Sequence, residues 1–572
     1  MKLLLLISAL FLAGFIKEAT RPATNASDAT DSGRNKSIVF CAPSFDPEKA
    51  KETKAPLING IGKFSYKVST KSSLAQKYFN QGLALTYGFN HGEAARSFHE
   101  VARLDSTCAM AYWGLALVLG PNYNASLNPV SLAEINDAID KAVKYSPLAS
   151  TSEKMLIQAM RERFPREEVK DMTPFYEAYA SAMRKTRSQF PDDADIATLC
   201  ADALMNLHPW NLWLKDGSAQ PWTPEIMDIL GKAVKKFPDH PGVMHYYIHA
   251  IEASRIADEA SPVADRLRNI MPASGHLIHM PSHIYIRTGE YHKGVLVNEQ
   301  ASEADSSYIA QCKVQGAYPM MYYPHNIHFL AACAYFEGNT KKAIDAAWNV
   351  SKKVDRQTLA ESLNSQHFYV IPYYVLVQLA KWDEILALPQ PGESLKYPVA
   401  MWHYARGMAF SAKNEIEKAS TEFNSLKVAA VDESLKTALI WESNNASDLV
   451  NIAFNVLGAE IAIAKNDLIE SEARYRKAIE IEDHLNYMEP PDWFFSVRHH
   501  FGYLLIKTGK FAEAEKIYRE DLATFPENGY ALMGLYNSLK AQGKKQEAKA
   551  VKERFDRAWK FADIKLTASR VK

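Results

Sequence analysis

From about Ser73 onward, apolar residues return every three or four positions, and strict apolar–polar alternation is rare. That period gives each segment one apolar stripe and predicts amphipathic helices almost throughout. Gly and Pro punctuate the stripes at short intervals and mark the turns. In "YFNQGLALTYGFNHGEAARSFHEVARLD" the small residues Gly82 and Ala94 sit mid-stripe, where they let two helices approach closely, and Phe98 lies one turn beyond Ala94. Near the other end, "VRHHFGYLLIKTGKFAEAEKIYREDLATFP" offers Gly502, Gly509, Ala514, Tyr518 and Pro526 in the same order. Gly509 and Ala514 return as Gly543 and Ala548, each 34 residues later. Similar units carry Gly407, Ala419 and Phe423, and Ala331, Gly338 and Ala343. A period of this length belongs to stacked helix–turn–helix units, each burying its apolar face on the next.

This pattern resembles the tetratricopeptide repeat, over most of residues 73–560. The resemblance implies an all-α, right-handed helical-repeat superhelix whose first helices line a concave groove. The chain is also similar to a group of long exported bacterial tetratricopeptide proteins with "HMPSH" and "EPPDW" segments. Three stretches interrupt the array: 206–225, 306–325 and 484–496, all rich in Pro and aromatic residues. Their aromatic content points to lids packed over the groove. The expected partition is a signal peptide at 1–19, a flexible leader at 20–72, an array with a His-rich groove at 73–350 and a second array at 351–572.

The candidate chemistry is a set of histidines. His245 and His279 stand 34 residues apart, as do His249 and His283, and Pro238 and Pro272 mark the ends of the preceding units at the same spacing. Eight of the 17 histidines fall between residues 245 and 328. Imidazoles at i and i+4 share one helix face, and neighbouring helices can turn such pairs toward one cation. On the repeat resemblance, His245, His249, His279 and His283 occupy groove positions, with Glu252, His276, His325 and His328 beside them. The expected site is a transition metal, zinc or copper, bound on the concave face by His245, His249, His279 and His283. Glu252, one turn beyond His249, is the candidate catalytic base. His276, His325, His328, His91 and His208 are further groove candidates. The alternative is a scaffold whose groove binds a peptide, a protein or an envelope complex; a small-molecule ligand there is also consistent with the pattern.

Composition narrows this picture. The chain has 572 residues, 47% hydrophobic, with 66 basic and 66 acidic side chains, so nothing in its charge favours nucleic acid. Five cysteines (Cys41, Cys108, Cys200, Cys312 and Cys333) form no CxxC pair and support neither a disulfide framework nor a thiolate metal site. No GxSxG, GxGxxG or GxxxxGK[ST] motif occurs. At the N-terminus, Lys2 precedes "LLLLISALFLAGF", an apolar run too short to span a bilayer comfortably, and small residues follow it. That reads as a signal for export, to the periplasm or beyond, with no transmembrane span after it.

Overall fold

A computed structural model describes residues 54–312, 318–493 and 495–571. The signal reading and most of the leader lie outside the described residues. The architecture is an all-α array of antiparallel helix pairs, from Ser73–Tyr87 and His91–Leu104 at one end to Gly529–Ala541 and Lys545–Ala558 at the other. Among the described residues the strands are confined to a small hairpin, Leu439–Ile440 against Asn444–Asn445.

Local chemistry sets the helix ends. Ser72 accepts from the Ala75 N–H, and Asp193 from the Ile196 N–H. Ser150 and Glu153 form a reciprocal capping box. Left-handed residues close many first helices: glycine at Gly289, Gly338, Gly509 and Gly543, and Phe89, Ala380, Asn414 and Asn466 at others.

The small residues of the repeat do what their spacing implies. Phe98 is wedged between two glycines of successive first helices: a Cβ on Gly82 would lie 2.8 Å from its ring, and one on Gly114 2.5 Å. Tyr518 repeats the device between Gly502 and Gly534, at 2.4 and 2.2 Å. An aromatic ring in the second helix thus sets the separation of two stacked first helices.

Residues 54–72 lie against this array. Ala55, Ile58 and Val68 are buried, and Gln81 accepts from the Ile58 N–H at 2.8 Å. The buried apolar side chains form two cores, one from Ala55 to Tyr322 and one from Ile286 to Leu566. Among the described residues, one helix, Ala446–Ala464, is long and apolar enough to cross a membrane, and most of it is packed inside the second core.

Candidate metal centre

Three helical segments of the first core and one of the second carry the histidines. Helix Pro241–Ile251 bears His245 and His249, and Glu252 caps its end. Its start is fixed by Pro241 and by the His240 ring, which accepts from the Val243 N–H. The next first helix runs as Gly275–His279 and Pro281–Thr288. It is interrupted at Pro281, which has no N–H to donate, and carries His276, His279 and His283. Helix Tyr323–Phe336 contributes His325 from its first turn.

These side chains are interior. His245 and His279 are 0% exposed, His276 and His283 1%, His249 2%, and Glu252 1%; His325 is half-buried. The insertions, whose aromatic content points to lids, cover the groove at this place. Trp210 from the first insertion stands edge-on to the His249 ring at 5.6 Å. Tyr322 from the second lies 4.9 Å from His276. The third brings Glu489 to 3.3 Å from His283. Phe89 completes the cover, 4.6 Å from His245 and 5.2 Å from His276.

Hydrogen bonds fix which nitrogens face inward. His245 Nδ1 donates to the Tyr87 carbonyl at 2.6 Å, leaving Nε2 with a lone pair that faces His276 Nε2 at 3.1 Å. His249 Nδ1 donates to Glu252 Oε1 at 3.1 Å, and its buried Nε2 has no hydrogen-bond partner. His279 Nδ1 donates to Asn298 Oδ1 at 2.6 Å. The Asn298 amide is oriented by its own N–H, which donates to the Gly294 carbonyl at 2.8 Å. His283 Nδ1 lies 2.6 Å from Glu252 Oε2. The Nε2 atoms of His279 and His283 then meet at 2.9 Å.

Two triads of nitrogens result: His245, His249 and His276, and His279, His283 and His325. Glu252, His283 and Glu489 form a third group in which a metal could sit. Within each group the offered atoms lie within 4.8 Å of one another. Burial, with neighbouring imidazoles adding to it, holds His245, His276 and His279 well below the ordinary histidine range. The same causes push His325 down to about 3. His283 goes the other way: burial disfavours its charge, but the Glu252 and Glu489 carboxylates outweigh that and raise it. Glu252 is correspondingly held low by His283 and His249, against its own burial.

The remaining candidates lie elsewhere. His328 packs against His367 at 5.8 Å, His91 is 3.3 Å from Asn122, and His208 stacks on Trp222 at 3.6 Å. Glu489, Asn298 and Phe89 were not singled out by sequence reasoning. Only Glu489 left a signal there, as the acidic residue of the "EPPDW" segment.

Fold and site together define a class: an all-α helical-repeat protein with a buried histidine cluster. No family model matches the chain, and neither does any curated protein. Solved structures similar to it include the human IFIT1 dimer with m7Gppp-AAAA, 14% identical over 90% of this chain and 96% of that one, with a TM-score of 0.32. Ypp1 is 10% identical over 86% of this chain and 82% of its own, with a TM-score of 0.43. Yeast Tom70 is 12% identical over 86% and 93%, with a TM-score of 0.26. Similarity at this level says nothing of function.

Proposed function

We propose that this chain is a metalloprotein that holds a transition metal, zinc or copper, in its histidine cluster. One observation carries the reading. His279 and His283 each direct Nδ1 at an oxygen, so their Nε2 lone pairs confront each other at 2.9 Å. With both rings neutral, two buried lone pairs at that separation repel unless a cation lies between them; without one, the proton that Glu252 and Glu489 favour on His283 fills the gap. Two nitrogens on one ion, with bonds of about 2.0–2.1 Å, sit roughly 2.9–3.4 Å apart at coordination angles from square to tetrahedral. A nitrogen set without sulfur suits zinc or copper. Three imidazoles leave a position for water or substrate, the arrangement of catalytic zinc sites, so the proposal extends to an enzyme. Glu252, expected from sequence to act as a base, is engaged by two imidazoles and suits the part of an orienting partner for the ligands.

The test is metal analysis. Protein purified without chelator is expected to carry zinc or copper, and the His249→Ala/His283→Ala double variant to lose it. Metal-free wild-type protein that takes up neither added ion would contradict the proposal.

The second reading, an interaction scaffold, draws support from the architecture, because stacked repeats present extended surfaces to partners. It is favoured by an open cleft of about 540 Å³ lined by Arg268, Asn269, Gln300 and Glu303 among others, suited to a peptide or protein. Pull-down with and without Arg268→Glu checks it. Export remains part of the proposal on the strength of residues 1–19; fractionation of the producing cell tests that.

A further inference from the structure

We infer that the cluster is a two-ion centre, one ion per histidine triad, coupled through the single carboxylate of Glu252. This rests on the metalloprotein reading above and goes beyond it in number and arrangement.

The short nitrogen contacts divide cleanly. His245 Nε2 faces His276 Nε2 at 3.1 Å inside the first triad, and His279 Nε2 faces His283 Nε2 at 2.9 Å inside the second. Each triad thus has its own pair of nitrogens at the separation that a shared ion imposes. Each has a third imidazole to complete the set: His249, whose buried Nε2 lacks a partner, and His325, 4.8 Å from His279 by ring centroid. The triads abut, with the His249 and His283 rings 5.7 Å apart and the His276 and His279 rings 5.9 Å apart. Six imidazoles drawn from four helical segments are more than one tetrahedral ion can use.

Glu252 joins the two sets. Its Oε1 takes the His249 Nδ1–H at 3.1 Å, and its Oε2 lies 2.6 Å from His283 Nδ1. A carboxylate that accepts from a ligating imidazole fixes the tautomer and strengthens the ligand. Here one carboxylate accepts from His249 of the first triad and is ion-paired with His283 of the second, so each ion's binding is linked to the other's through a residue that need touch neither. His245 and His279 have separate anchors, the Tyr87 carbonyl and Asn298. Both sites would therefore take late first-row ions through imidazole nitrogen, and zinc or copper fits each.

The experiment uses the full chain, stripped with chelator, reloaded with Cu(II) and desalted. Wild-type protein is expected to retain two ions per chain, with the Cu(II) electron paramagnetic resonance signal diminished or broadened by coupling of a close pair. His245→Ala/His276→Ala and His279→Ala/His325→Ala should each retain one ion with an uncoupled signal of full intensity. Glu252→Gln should weaken both sites, by roughly 10–100-fold. One retained ion in wild type, lost in both double variants, would overturn the two-ion centre while leaving the metalloprotein standing. No retained ion would remove both. Two ions with an uncoupled wild-type spectrum would also overturn it, and that readout needs no variant to fold.

Discussion

At the scale of single residues, burial changes what the histidines mean. On an open groove, His279→Ala would be nearly silent in the metal-free protein. In the interior it strips the buried Asn298 oxygen of its donor and is expected to cost about 1–3 kcal/mol, read as a lower denaturant midpoint at unchanged slope. A loss near zero would put His279 back at a surface.

Asp305 offers the pH test. It is fully buried, accepts from the Tyr318 hydroxyl at 2.7 Å and from the Asn326 amide at 2.6 Å, and burial pushes its carboxyl up to about 7. The unfolded chain releases this proton near pH 3.9, whereas the folded protein keeps it until about 7. Its contribution to stability is therefore retained below pH 3.9 and lost as pH rises toward 7. Asp305→Asn removes the ionisation, so the variant should gain on wild type between pH 5 and pH 8 in paired unfolding measurements. A difference independent of pH would show that Asp305 is ionised throughout.

Much of the residue-level site was legible, because a repeat makes equivalent positions recur at one spacing: His245 with His279, and His249 with His283. The depth of burial was not, since it depends on side chains supplied by remote loops. Phe89 shows why. It occupies the left-handed turn position that glycine, asparagine or alanine fills at the other helix ends, with φ of 55°, an unusual conformation for a bulky aromatic residue. Nothing in its own neighbourhood announces that its ring covers two imidazoles.

At the scale of elements, the helices were readable because their signals are local: an apolar stripe, a cap and a small residue where a ring must fit. The break at Pro281 and the placement of Gly275–His279 depend on contacts that are not local. A Cβ on Gly275 would fall 1.9 Å from Asp305 Oδ1 and 2.8 Å from the Ala301 carbonyl oxygen. Gly275→Ala is expected to cost about 1–3 kcal/mol by overpacking. It should also weaken metal binding, because this short helix carries His276 and His279. Unchanged affinity in a destabilised variant would mean that the helix does not position ligands.

At the scale of the whole molecule, the cluster joins the two cores. Its histidines come mainly from segments of the first, while Glu489 reaches His283 from a loop set among residues of the second. Such a long-range contact leaves no periodic trace, which is why the sequence showed the "EPPDW" loop only as an interruption. Metal bound here should stabilise both cores together. At a free ion concentration about 1,000 times Kd, the gain is about 4 kcal/mol. Chelation should then lower a single calorimetric transition. Loss confined to one of two separate transitions would show that the site belongs to one core alone.

The central claim is that buried imidazoles hold a metal, and X-ray absorption of the as-purified protein tests it most directly. The expected result is a zinc or copper edge with a nitrogen shell at about 2.0–2.1 Å and the outer-shell scattering of several imidazoles. An absent edge that added zinc or copper does not restore would contradict the account, as would a first shell of sulfur or of carboxylate oxygen alone.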